Sequence, residues 1–305
     1  MSALKFQRTK SIVKPGFYRL TREAYHADMA PTPSLSSSLA KVIVNKSVAH
    51  AITRSPRFSG RQVTPTYAMD QGSAVHAFLA GDDAAVEIIP FHDWKATDAK
   101  RLRALAWRNG RTPILKPDVE RLRECAEAAR PVLVELMGVP ASQWISEAAL
   151  FWQGAGWRRG ALDIVRDDLR VWCDAKTTDH DAAPRSAARA LYDQDAHIQE
   201  GHYNAGLDAL DAAGAGRRQA WFVTIERDDP FGIVVHETDA TARSDGAEMA
   251  RFAGEEWDRA VAAFTRADNP ERPPSYEIGP HVAEYPTWKA AAWFDRKQGR
   301  KGAMQ

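Results

Sequence analysis

The sequence predicts an α/β protein in which a mixed central β-sheet is flanked by helices. Two observations carry this. Apolar residues recur at helical spacing over 39–52, 69–81, 95–137, 182–213 and 240–267. Between these segments, 145–178 and 220–237 switch to short apolar runs bounded by turn residues, the pattern of strands.

Residues 1–33 are polar and punctuated by Pro15, Pro31 and Pro33, which reads as an extended N-terminal arm. Ser34-Leu-Ser-Ser-Ser then offers capping hydroxyls for one helix across LAKVIVNKSVAHAI. MDQGSAVHAFLAG (69–81) reads as a helix ending at Gly81, and 95–137 as two helices separated near Pro113 and Pro117. ISEAALFW (145–152), WRRGALDIV (157–165) and LRVWCDAKTT (169–178) form a three-stranded meander. Side chains two apart in a strand share a face. Val171, Cys173 and Ala175 therefore point one way, and Trp172, Asp174 and Lys176 the other. Residues 182–213 are helical, AWFVTIE (220–226) and FGIVVHE (231–237) form a hairpin, and 240–267 is a helix. The core domain thus spans 34–268, and 269–305 is a proline-rich, basic tail expected to be mobile. No internal repeat occurs.

Composition narrows the function classes. Hydrophobic residues are 44% and charged residues 27%, which excludes a disordered, collagen-like or fibrous chain. Cys125 and Cys173 cannot build a disulfide framework or a four-thiolate metal centre, and a reducing, cytoplasmic setting is expected. No apolar run approaches the roughly 20 residues of a membrane span, and the start lacks the apolar core of a signal peptide. Lys and Arg total 41 against 40 Asp and Glu, a formal charge of +1. Any nucleic-acid surface must then be local. Lys41, Lys46, Arg54, Arg57 and Arg61 supply such a cluster with no intervening acid. It reads either as a solvated face or as phosphate contacts.

The strongest chemical signal is Asp163 followed by Asp174-Ala175-Lys176. A hairpin brings both carboxylates together with an ammonium two residues beyond. Two acidic oxygens with phosphate and water suit magnesium, and a neighbouring lysine can orient the attacking water or stabilise charge on the phosphate. The bland alternative is a surface Asp–Lys pair, weakened here because the strand is otherwise apolar. Gln199 and Tyr203 lie four apart on one helical face, with Tyr203 as a core aromatic the default. His76, among Val75, Phe78 and Leu79, matches a satisfied core histidine at least as well as a ligand. GAGWRRG (154–160) is mis-spaced for a dinucleotide loop, and no GxxxxGK[ST] occurs.

Taken in order, GSAVHAF, SEAALFW, GALD, CDAKTT and Gln199-Glu-Gly-His-Tyr203 resemble the motifs of the PD-(D/E)XK nuclease superfamily. With EAYHADMAPTPSLSSSLAKVIVNKSVAHA ahead of them, they resemble more closely the RecE (exonuclease VIII) type exonucleases of phages and prophages, over roughly residues 20–235. The resemblance implies a restriction-endonuclease-like core. It implies Asp163, Asp174 and His76 as metal-associated residues, Lys176 as the catalytic lysine, Glu147 as a supporting acid, and Gln199 and Tyr203 as the flanking helix motif. GALD stands where relatives usually carry Arg or Lys and Pro before the Asp, and Arg158 and Arg159 are the residues available to serve as substrate contacts instead. The four-cysteine nucleases of CRISPR adaptation share the motif order but need cysteines this chain lacks.

The implied activity is magnesium-dependent digestion of linear duplex DNA from the 5′ end, with manganese a possible substitute. It leaves a 3′ single strand for an annealing protein. A ring-like homo-oligomer around DNA in a bacterial host is implied as well. An endonuclease of the same fold and a catalytically silent recombination scaffold are the alternatives.

Overall fold

A computed structural model describes residues 11–60, 64–266, 273, 275, 276 and 279–302. The chain divides into a main unit, Met1–Ser275, and a C-terminal unit, Tyr276–Gln305. In chain order the main unit holds β1 (Gly16–Tyr18), α1 (Arg22–His26), β2 (Leu35–Ser36), α2 (Ser37–Asn45), α3 (Val48–Arg54), α4 (Pro56–Ser59) and α5 (Tyr67–Leu79). There follow β3 (Val86–Ile89), α6 (Thr97–Arg108), β4 (Thr112–Leu115), α7 (Val119–Met137), β5 (Trp144–Gln153), β6 (Trp157–Arg166) and β7 (Val171–Thr178). The last elements are α8 (Pro184–Asp193), α9 (Ala196–Leu210), β8 (Gln219–Glu226), β9 (Ile233–His236) and α10 (Ala240–Arg266). The C-terminal unit carries α11 (Thr287–Gly302). None of the described helices is long and apolar enough to cross a membrane.

The main sheet runs β1-β5-β6-β7-β8-β9, with β2 added beside β6. It is mixed: β5, β6 and β7 form the antiparallel meander, β7 and β8 are parallel, and β8 and β9 close as a hairpin. A parallel step needs a crossover, which α8 and α9 supply. The expected alternation in β7 is present. Cys173 and Ala175 pack into the core with α5 and α7, while Trp172 packs on the opposite side with α9. A further apolar layer joins α2, α3 and α10 through Leu39, Ile43, Ile52 and Trp257. Gly201 and Gly246 let α9 and α10 touch: a Cβ on Gly201 would lie 2.4 Å from the Gly246 carbonyl oxygen.

Three expectations change. Residues 11–33 are not an arm but part of the fold. Here β1 pairs with β5, and Ile12, Phe17 and Tyr18 are buried. The single helix expected from Leu39 breaks at Ser47, whose hydroxyl accepts from the His50 N–H and caps α3. Between the helices of 95–137 lies β4, paired in parallel with β3. Each of those strands has only four residues, too few for a readable period.

Candidate active site

The site forms where β6 and β7 part. They pair at Ile164–Cys173 and Val165–Trp172. Beyond it, the Ala175 N–H donates to Asp163 Oδ2 at 2.9 Å, and His76 Nε2 donates to the Ala175 carbonyl at 2.8 Å. One residue's peptide groups thus anchor two candidate site side chains. His76 arrives from α5, and Gly72 one turn earlier keeps that helix against β7: a Cβ there would lie 3.2 Å from Thr177 Oγ1.

With Nε2 committed, His76 Nδ1 is turned toward Glu147 Oε1 at 3.3 Å and Asp163 Oδ1 at 3.6 Å. One ligand atom from each of the three lies within 4.8 Å of the others. Glu147 stands in strand β5 with φ of 50°, a left-handed conformation unusual for a side chain larger than glycine. Such backbone strain persists where surrounding structure imposes it and clusters at functional sites. Burial pulls the imidazole's pKa down, but Asp163 and Glu147 outweigh it and raise His76 to about 9. Burial, with Asp174 and Glu147 nearby, raises the Asp163 carboxyl above its usual range.

Asp174 lies outside this trio. It is 2% exposed, and Gln199 Nε2 donates to its Oδ1 at 2.6 Å while Lys176 Nζ lies 2.5 Å from its Oδ2. Gln199 Oε1 in turn accepts from Lys41 Nζ at 2.9 Å. The chain Lys41–Gln199–Asp174–Lys176 joins α2, α9 and β7 in one line. Burial lowers Lys41 to about 8. Burial also opposes the charge of Lys176, but Asp174 and Asp163 raise its pKa on balance.

The expected metal set was Asp163, Asp174 and His76; the residues the fold brings together are His76, Glu147 and Asp163. Lys41, expected as a surface phosphate contact, is instead part of the site. Sequence spacing could not show this, because 158 positions separate it from Gln199. Tyr203 is core: it packs edge-on to Trp172 at 5.5 Å, and its hydroxyl is bonded to Ser37.

Arg158 and Arg159 are also placed otherwise than expected. Neighbours in a strand point to opposite faces, and each guanidinium is consumed inside the protein. Arg158 forms two 2.7 Å bonds to Asp258 and one to the Gly254 carbonyl. Arg159, 3% exposed, pairs with Asp28 at 2.9 Å and with Ser34. Neither is placed to meet a substrate. Of the basic cluster, Lys46, Arg54 and Arg57 are exposed, although Arg57 donates to the carbonyls of Asp28 and Ala30. Arg61 lies outside the described residues.

The donor chemistry of the trio fits a divalent cation. A cavity of about 10 Å³ lies among His76, Glu147, Asp163 and Ala175, near the size of one water molecule or ion. An imidazole with two carboxylates suits manganese at least as well as magnesium, which prefers oxygen. The Ala175 carbonyl fixes the histidine tautomer, as outer partners of metal-bound histidines do.

Comparison with solved structures places this fold among known ones. The chain is similar to a protein named as a candidate exonuclease from Eubacterium rectale, with a TM-score of 0.51 at 10% identity over 80% of this chain and 87% of that one. A phage-related exonuclease from Haemophilus somnus 129PT also aligns, with a TM-score of 0.35 at 11% identity over 76% and 97% of the two chains. No protein-family model matches the chain, and no curated protein does.

Proposed function

We propose that this protein is a metal-dependent exodeoxyribonuclease of the PD-(D/E)XK kind, acting on the ends of linear duplex DNA. The observation that carries the reading is the meeting of the His76–Glu147–Asp163 trio with the Asp174–Lys176 pair across the β6–β7 opening. The fold shared with the Eubacterium rectale protein, whose name includes exonuclease activity, supports it. The five motifs in nuclease order support it further.

In this reading His76 Nδ1, Glu147 and Asp163 would hold the cation, and a divalent ion there would supply a water of lowered pKa and polarise the phosphate. The remaining steps belong to side chains. Lys176 presents its ammonium to the phosphate oxygen or the attacking water, stabilising charge as it develops. Asp174 holds that ammonium in place. Gln199 fixes Asp174, and Lys41 fixes the Gln199 amide so that its NH₂ faces the carboxylate. Exposed Lys46 and Arg54 supply phosphate contacts further along the duplex. The resemblance further suggests 5′-to-3′ digestion, an annealing protein that receives the 3′ strand, and a ring of subunits.

Incubation with end-labelled linear duplex and with covalently closed circles, in magnesium and in manganese, tests the proposal. Consumption of the linear form alone is expected. Similar cutting of closed circles would make it an endonuclease. DNA retention without cutting of either form would make it a scaffold.

A further inference from the structure

A second cavity, of about 330 Å³, runs from Asp174, Lys176 and Gln199 beneath α8. Its charged end belongs to the site just described; the rest is unassigned. Ala190 and Leu191 of α8 and Phe222 of β8 line it with apolar groups, and Gln194, Thr224, His180 and Asp181 add polar ones. The roof is tied down at its start. The Ala182 N–H donates to Glu226 Oε1 at 2.6 Å, and His236 Nε2 donates to the Pro184 carbonyl at 3.0 Å. A cavity with apolar side chains, several hydrogen-bonding groups and an ammonium at one end has the character of a site for an apolar ring carried on a phosphate.

Resting on the nuclease reading, we propose that this cavity is a nucleoside subsite. It takes the unstacked base and sugar of the nucleotide whose phosphate lies against Lys176. The volume is at the low end of the roughly 300–1,000 Å³ typical of small-molecule pockets, which suits one nucleoside and not a base pair. A strand must therefore enter unpaired. Unpairing is costly in a duplex interior and cheaper where the base is already single-stranded. The pocket would then favour frayed ends over internal positions. Gln194, which can both donate and accept, gives it no strong preference among bases.

The test is a calorimetric titration of the full chain, in calcium, with a deoxynucleoside monophosphate and with deoxyribose 5-phosphate. The nucleotide should bind at least tenfold tighter than the sugar phosphate. Ala190→Trp fills the slot from an exposed position of α8 and should erase that difference with thermal stability retained. Should that variant fail to fold, Ser186→Phe, also exposed on α8 and lining the slot, replaces it with the same expectation. Equal binding of the two ligands by the wild type, or undiminished discrimination in the filled variant, overturns the subsite. The two proposals fail separately. Discrimination without hydrolysis of any DNA upholds the subsite and removes the nuclease reading. Hydrolysis without discrimination does the reverse.

Discussion

Lys41 offers a test in which activity and stability should move in opposite directions. Its ammonium is mostly buried and donates to Gln199 at 2.9 Å. Burial lowers its pKa from 10.5 to about 8. At ~1.4 kcal/mol per unit, holding the charge at pH 7 costs the fold on the order of 3 kcal/mol. Lys41→Met keeps the apolar stem and removes the ammonium. The variant should therefore melt no lower than the wild type at pH 7, and up to several degrees higher. The sign follows from linkage. The unfolded state holds more protons between pH 8 and 10.5, so this lysine makes wild-type stability rise with pH across that window. The methionine variant should lack that rise.

Activity should fall. Without the ammonium the Gln199 amide loses the partner that turns its NH₂ toward Asp174, and Asp174 loses part of its hold on Lys176. A hydrogen bond to a charged group is worth ~1.5–3 kcal/mol, so a loss near 2 kcal/mol lowers kcat about 30-fold. The assay is the initial rate on end-labelled linear duplex, with KM separated from kcat, alongside thermal melts at pH 7 and 10. Partial recovery is expected for Lys41→Arg, which can still donate to Gln199. Wild-type kcat in the methionine variant would refute the bracing role. A melting point many degrees lower would refute the burial argument.

Lys176→Ala should abolish hydrolysis while leaving the fold intact, because the side chain is nearly half exposed and its loss opens no deep cavity; near-wild-type rates in folded protein would remove it from the chemistry. Manganese should support activity at lower concentration than magnesium, with calcium bound but poorly active, and Asp163→Asn should weaken all three in calorimetric titrations. His202 is buried, and burial pushes its pKa down to about 3. The unfolded state then holds the extra proton between pH 3 and 6.5, so its contribution to stability is lost as pH falls through that window. Denaturant unfolding should show the advantage of wild type over His202→Asn shrinking by roughly 3 kcal/mol from pH 7 to pH 4; a constant gap would mean the ring is charged in the folded state.

Much of the sheet was legible because its signals are local. The meander 145–178 is continuous in sequence, and its alternation alone places Asp174 and Lys176 on one face. The His76–Glu147–Asp163 trio was only partly legible. Glu147 appeared a minor acid, because nothing in ISEAALFW announces a left-handed residue inside a strand. The two arginines misled for the opposite reason. A basic pair beside the motif looks like a phosphate contact, yet Arg158 depends on Asp258 and Arg159 on Asp28, both more than 90 residues away. A charge read from sequence carries no information on whether the fold has already neutralised it.

The same non-local logic explains where the site is. Had β6 and β7 paired along their whole length, the peptide groups of Ala175 would have been spent on the ladder. Because the pairing stops at Ile164–Cys173, the N–H and C=O of Ala175 must find other partners, since buried backbone groups rarely go unpaired. The partners they find are the Asp163 carboxylate and the His76 imidazole. The opening in the sheet thus makes room between two strands and supplies the hydrogen bonds that aim two side chains into it. Parallel pairing with β8 continues to Thr178 and keeps the far edge of β7 rigid while its near edge is released. Precision at the candidate site therefore comes from strands and helices and not loops, which is what the proposed hydrolysis would need in order to place a phosphate, a water and an ammonium within tight tolerances.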